Sequence, residues 1–221
     1  MDVNNFQKGI EQIKDQGFSF LQPIIEMIDH ERFGGMTSIN ILKVLNLAAK
    51  SLNKEEIYLE LGTYKGLTLI GAMLGNEDKK FIAVDDFSQY GGSEAELLEN
   101  IHAFFPQGIS PNFRFYQLSI EEFFKDCREK DIGMVFFDAL HTYKAIMDYF
   151  WLVLPHLAES AILIFDDSGT DHKDLPSWVG EVWEATEELL SLFRHLKELA
   201  YFDPVMIPGW HLGLRILVWQ G

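Results

Sequence analysis

The spacing of hydrophobic residues changes along the chain, and the change separates a helical beginning from an alternating remainder. Within residues 6–13 and 21–28, apolar side chains recur every three or four positions, with a break at Gly17. This spacing predicts two short amphipathic helices. A third predicted helix follows, and either Thr37 or Ser38 can cap it.

From about residue 55, short apolar runs alternate with helical patterns. The runs predict strands at about 56–61, 80–85, 113–118, 132–138 and 160–166. The intervening patterns predict helices at about 66–75, 93–104, 119–129, 142–154 and 175–195. Ser93 with Glu96, and Ser119 with Glu122, have the spacing of capping boxes. Repeated β-α units of this kind are typical of a parallel sheet.

The end of the chain breaks the alternation. Residues 199–207 and 211–219 are strand-like runs joined by Pro208-Gly209, which predicts a hairpin. The predicted fold is therefore α/β: a doubly wound, mostly parallel, seven-stranded Rossmann-like sheet with a C-terminal antiparallel hairpin. Residues 1–35 are predicted to be N-terminal helices that shape the substrate entrance or an oligomer contact, such as that of a homodimer, and residues 36–221 to form the main domain.

Charge narrows the choice of partners. The 221 residues carry 34 acidic against 18 basic side chains, a net charge of -16. Such a field repels nucleic acid and anionic membrane surfaces, so neither is an expected partner. The apolar runs are too short to span a membrane, and no secretory signal is apparent. A single cysteine fits a reducing compartment, so a soluble cytoplasmic protein is expected.

The first chemical signal follows the first strand. Residues 57–66 read Ile-Tyr-Leu-Glu-Leu-Gly-Thr-Tyr-Lys-Gly, an acid followed by two glycines before a helix. Gly62 would let the backbone turn tightly and approach a ligand, and Gly66 would let the helix pack close to the strand. The pattern is not the dinucleotide fingerprint, and the acid Glu60 suits a cationic or hydroxyl-rich ligand rather than a pyrophosphate. The alternative is that both glycines serve packing alone.

Two further positions fit a nucleoside. Asp85 ends the second strand about 25 residues after Glu60, where an acid can accept hydrogen bonds from ribose hydroxyls. Ser119 follows the third strand, as a helix cap first and an adenine contact second. Asp85 could equally be an ordinary loop carboxylate.

The second chemical signal is a set of acids after two apolar strands. Asp138 ends one run, and Asp166 with Asp167 ends the next. On neighbouring strands these carboxylates would converge at one sheet edge, where their repulsion calls for a divalent cation such as Mg²⁺. The alternative is that Asp166 or Asp167 caps a helix and Asp138 pairs with Lys144.

His141 lies three residues beyond Asp138 and can take a proton near neutral pH, which makes it the candidate general base. The remaining histidines are expected to be surface or packing residues: His30, His102, His156, His172, His195 and His211.

Residues 59–68 and the acids resemble the class I S-adenosylmethionine-dependent O-methyltransferases, of the catechol and macrocin type, over about residues 33–221. The resemblance implies methyl transfer from S-adenosylmethionine to a hydroxyl of a small-molecule acceptor, assisted by a divalent metal. It implies a metal site at Asp138, Asp166 and Asp167. It also implies cofactor contacts from Met36, Glu60, Gly62, Thr63, Tyr64, Gly66, Asp85, Ser119 and Asp138.

Two positions depart from the catechol enzymes, which place Asn where this chain has Asp167 and Lys where it has His141. The base at His141 fits the macrocin-type pattern D-x-x-H-x-Y instead. Three other functions stay open at this point: a metal-independent methyltransferase, a non-catalytic S-adenosylmethionine-binding module and a nicotinamide-dependent oxidoreductase. The glycine spacing argues against the last of these.

Overall fold

The computed structural model describes residues 1–13, 36–108, 112–170, 176, 178–204 and 211–221. Its helices are α1 (Val3–Glu11), α2 (Ile39–Lys50), α3 (Leu67–Met73), α4 (Glu94–Phe104), α5 (Ile120–Asp126), α6 (Tyr143–Val153) and α7 (Val179–Leu192), with a 3₁₀ turn at Leu154–His156. Its strands are β1 (Ile57–Leu61), β2 (Lys80–Val84), β3 (Phe113–Tyr116), β4 (Ile132–Phe137), β5 (Leu157–Asp166), β6 (Leu196–Phe202) and β7 (Leu214–Gln220). The helix predicted at 21–28 lies outside the described residues.

The strands form one seven-stranded sheet in the order β3-β2-β1-β4-β5-β7-β6. Strands β1 to β5 are parallel, and β7 lies antiparallel between β5 and β6. The predicted fold class is therefore confirmed. The chain passes from β3 at one edge back to β4 beside β1, so the strand order reverses between β1 and β4. In such sheets ligands bind outside the carboxyl ends of the strands at this switch point.

The C-terminal strands differ from the prediction in their bounds. Their described ladder ends at the pair Phe202 and Leu214. The sequence pattern placed the turn at Pro208-Gly209, which lies outside the described residues. Strand β6 begins at Leu196 rather than at the predicted residue 199. Leu196 is buried and pairs with Trp219.

Helices cover both faces of the sheet because side chains alternate along each strand. One face, which includes Tyr58, Phe81, Phe136 and Ile164, packs against α1 to α4. The other, which includes Leu59, Ile82, Phe137 and Phe165, packs against α5 to α7. Phe6 of α1 is fully buried in the first of these cores. The role predicted for residues 1–35 at the substrate entrance or an oligomer contact stays a prediction.

Across the described ranges, no helix combines the length and apolar character that crossing a membrane requires.

Candidate active site

A pocket of about 440 Å³ opens at the carboxyl ends of the central strands. Loops after β1, β2, β4 and β5 form its wall, as the switch point of the sheet requires. Nine residues predicted to act at a site line this pocket: Met36, Gly62, Thr63, Tyr64, Asp85, Ser119, Asp138, His141 and Asp167. Three others, Glu60, Gly66 and Asp166, are not part of its lining.

The turn between β1 and α3 is held by the carboxylate of Asp85. Its Oδ2 accepts hydrogen bonds from the backbone N–H groups of Thr63, at 2.8 Å, and Tyr64, at 2.6 Å. Its Oδ1 accepts a third from the N–H of Phe87, at 2.7 Å. Asp85 therefore fixes the loops after β1 and β2 against each other, and its predicted contact with ribose would come in addition to this role.

Gly62 brings two backbone segments together. Its φ is +88°, and a Cβ at this position would lie 1.9 Å from the carbonyl oxygen of Asp138. The loop after β4 therefore fills the space that a side chain at Gly62 would occupy. The expectation that the turn at Gly62 lets the backbone approach a ligand stays a prediction. Gly66 has a φ of +86°, and a Cβ there would lie 2.6 Å from Cδ1 of Leu97 in α4. It thus permits close packing between helices rather than between helix and strand.

Glu60 lies in the interior instead of on the pocket wall. It is fully buried, and its carboxyl group accepts hydrogen bonds from the hydroxyls of Tyr58 and Thr68, each at 2.9 Å. Burial raises the pKa of Glu60 to about 8, although both hydrogen bonds oppose the rise. Thr68 lines the pocket, so Glu60 is one hydrogen bond away from it. Its direct contact with a cofactor stays a prediction.

Two acids and two histidines meet where β4 and β5 end. Nε2 of His141 lies 3.5 Å from Oδ1 of Asp138 and 3.6 Å from Oδ2 of Asp167. The other oxygen of Asp167, Oδ1, lies 3.4 Å from Nδ1 of His211. The predicted convergence of Asp138 and Asp167 is present. Lys144, the alternative partner of Asp138, forms an ion pair with Asp148 instead.

Four groups at this edge have shifted pKa values: Asp138, His141, Asp166 and His211. Burial raises the pKa of Asp138 to about 6, although a hydrogen bond with His141 opposes the rise. Burial raises the pKa of Asp166 well above its ordinary value, and the neighbouring carboxylates add to the effect. Burial lowers the pKa of His141, but the two carboxylates outweigh it and the net shift is upward. The pKa of His211 is raised because its Nδ1 faces the carboxylate of Asp167.

The acids of this cluster offer the oxygen atoms that a divalent cation prefers, but their arrangement is not that of a metal site. The Oδ1 atoms of Asp166 and Asp167 are buried and have no hydrogen-bond partner among the described residues. Oxygen donors of this kind suit Mg²⁺. Within the described part of the chain, however, no three side chains of His, Cys, Asp or Glu are arranged to hold a metal ion.

His211 lies in the pocket lining beside Asp167, a position that the sequence interpretation did not predict. It was expected to be a surface or packing histidine, because no acid lies near it in the sequence. The residue comes to the site because β7 lies beside β5 and pairs Leu214 with Asp166, so the segment before β7 begins at the acidic edge. Trp178 was also missed: its ring lies 5.5 Å from that of His141, and both line the pocket. His30 and His172 lie outside the described residues.

Residues 59–168 match the family model described as "Methyltransferase domain". The chain carries a methyltransferase domain. The matched range contains every predicted site residue except Met36, and it ends before Trp178 and His211. A comparison with functionally curated proteins finds no match.

Solved structures share the fold of this methyltransferase domain. The O-methyltransferase TomG from Streptomyces achromogenes, in complex with SAM, is 18% identical; the match covers 93% of this chain and 92% of that chain, with a TM-score of 0.64. The O-methyltransferase from Bacillus cereus, in complex with SAH, is 14% identical over 97% of this chain and 96% of its own, also with a TM-score of 0.64. At these identities the similarity establishes the class I methyltransferase fold.

Proposed function

We propose that this domain transfers the methyl group of S-adenosylmethionine to a hydroxyl of a small-molecule acceptor, with His141 as the general base. The proposal is carried by one observation: the switch-point pocket combines an Asp85-anchored glycine turn with a histidine whose Nε2 lies between two carboxylates. The bound SAM and SAH in the neighbouring structures support the choice of cofactor.

The charge of the pocket suits the sulfonium cation of this cofactor. Among the described residues, five carboxylates line the pocket: Asp85, Asp86, Glu121, Asp138 and Asp167. Two buried hydroxyl oxygens also lie in the lining, Oγ1 of Thr37 and Oγ1 of Thr63. Neither has a hydrogen-bond partner among the described residues. Buried polar groups without partners cost free energy, so a polar ligand that pairs with them would bind favourably. The aminocarboxyl end of the cofactor supplies such groups.

The chemical step moves a methyl group and a proton in opposite directions. The acceptor oxygen attacks the methyl carbon and forms a bond with it. The bond between this carbon and sulfur breaks at the same time, and the electron pair of the broken bond stays on sulfur. The hydroxyl proton passes to Nε2 of His141, which lies in the pocket lining beside Asp138 and Asp167. Asp138 and Asp167 then stabilise the imidazolium.

A divalent cation at Asp138, Asp166 and Asp167 is a separate part of the proposal. Two buried carboxylate oxygens without a hydrogen bond among the described residues, Oδ1 of Asp166 and Oδ1 of Asp167, favour it. When bound, the cation would fix the acceptor oxygen and favour its deprotonated form. Mg²⁺ or Mn²⁺ added to chelator-treated protein should then raise the melting temperature, and Asp166→Asn should reduce that rise. If neither ion changes melting or methyl transfer, the domain acts without metal.

Two cheap experiments separate the competing functions. S-adenosylmethionine should raise the melting temperature of the protein, whereas NAD should not; the reverse result would favour an oxidoreductase. A protein that binds S-adenosylmethionine but never consumes it with any hydroxyl acceptor would be a non-catalytic binding module.

A further inference from the structure

The composition of the pocket wall limits the acceptor, given the proposed function. The acceptor must reach His141, so it occupies the side of the pocket formed by the carboxyl ends of β4 and β5 and the beginning of β7. In the described ranges the residues on this side include Asp138, Leu140, His141, Asp167, Trp178 and His211. The ring of Trp178 lies beside that of the proposed base.

Apolar side chains are concentrated around this pocket. Among the described residues, six large apolar side chains are exposed, and four of them line the pocket: Met36, Tyr90, Leu118 and Leu140. Of these, Met36 and Leu140 are 42% and 44% exposed. Exposed apolar side chains around a concave site mark a binding surface, because a ligand that covers them removes apolar area from water.

Positively charged side chains are scarce in the lining of the whole pocket. In the described part of the lining, Lys65 is the single lysine or arginine against five carboxylates. Its ammonium group lies 3.7 Å from Glu96 and over the ring of Tyr64. His141 and His211 each face Asp167. In the metal-free protein, a carboxylate or phosphate on the acceptor would therefore enter a pocket whose described lining carries more acidic than basic side chains, and whose lysine and histidines already face other carboxylates.

We propose that the acceptor is a hydroxyl compound with an apolar, ring-bearing body and no negative charge, either neutral or carrying an amine. Its body packs against Trp178 and Leu140, and its hydroxyl faces His141. Phosphorylated and carboxylated acceptors are rejected by the carboxylates of the wall.

Three matched phenols test this selection: tyrosol, which is neutral, tyramine, which is cationic, and 4-hydroxyphenylacetate, which is anionic. Their binding to protein saturated with S-adenosylhomocysteine is measured by ligand-observed NMR. We expect tyrosol and tyramine to bind and the carboxylate to bind at least about tenfold more weakly. Equal binding of all three, tighter binding of the carboxylate, or no binding of any phenol would overturn the inference. Binding of S-adenosylhomocysteine itself, measured on the same sample, reports separately on the proposed function.

Substitutions with matched controls locate the effect. Trp178→Ala should weaken tyrosol binding at least about fivefold, since buried tryptophans dominate binding surfaces. Trp151→Ala removes an exposed tryptophan outside the lining and should leave tyrosol binding unchanged. An equal loss in both variants would show that the effect is not local to the pocket.

Introducing a positive charge at Leu140, in the pocket lining, gives a second test that does not depend on the loss of a large side chain. Leu140→Lys should improve binding of 4-hydroxyphenylacetate relative to tyramine by up to about fivefold, the scale of an exposed ion pair. Leu192→Lys places the same charge at an exposed leucine of α7 outside the lining and should leave the ratio unchanged. An unchanged ratio in Leu140→Lys would contradict charge selection at this position.

Discussion

Gly62→Ala is expected to destabilise the fold through a clash between backbones, and Gly91→Ala supplies its control. Both glycines have a positive φ, +88° at Gly62 and +76° at Gly91, and both line the pocket. They differ in surroundings: a Cβ at Gly62 would meet the carbonyl oxygen of Asp138 at 1.9 Å, whereas a Cβ at Gly91 meets nothing within 4 Å. The two substitutions therefore share the conformational cost and differ by the clash.

The magnitudes can be estimated from these terms. A left-handed conformation costs a residue with a side chain about 1–2 kcal/mol, which is the whole effect expected for Gly91→Ala. Inserting a methyl group into a filled space adds about 1–3 kcal/mol, so Gly62→Ala should lose about 2–5 kcal/mol. Urea denaturation followed by circular dichroism measures both losses. If the free energies of unfolding of the two variants agree within about 0.5 kcal/mol, the Gly62 contact does not limit stability as argued.

Other predictions concern ionisable groups. Because burial raises the pKa of Glu60 from 4.5 to about 8, the folded state binds this proton more tightly than the unfolded state, and stability falls as the pH rises between those values; Glu60→Gln should reduce that fall, and denaturation curves across this range check it. His141→Ala should lower turnover about 100-fold to 10,000-fold while S-adenosylhomocysteine affinity is kept, whereas exposed His102→Ala should change neither. Turnover should rise with pH as His141 loses its proton, and Asp167→Asn should move that rise to lower pH, because Asp167 contributes to the raised pKa; a pH profile that does not move would place the base elsewhere.

Much of the fold followed from the sequence because hydrophobic spacing reports local structure. The repeated β-α pattern predicted the parallel strands β1 to β5, and the absence of a helix between the last two runs predicted an antiparallel pair. The convergence of Asp138 and Asp167 was also predictable, since parallel neighbouring strands end at one edge.

The parts that sequence reasoning missed depend on contacts between distant segments. His211 reaches the site because β7 lies between β5 and β6, which no local pattern specifies. The neighbour of Gly62 is the backbone of Asp138, 76 positions later in the chain, and only the pairing of β1 with β4 brings the two together. The depth of Glu60 is equally a tertiary property, because both faces of the sheet are covered. A strand pattern alone does not say that Glu60 is buried behind the pocket wall.

The central claim is that the pocket at the switch point holds S-adenosylmethionine. Isothermal titration calorimetry with S-adenosylhomocysteine tests this without knowledge of the acceptor. We predict saturable binding of one equivalent per chain, with weaker binding in Asp85→Ala because that carboxylate anchors the turn through Thr63 and Tyr64. A well-folded protein that binds neither S-adenosylhomocysteine nor S-adenosylmethionine would contradict the account.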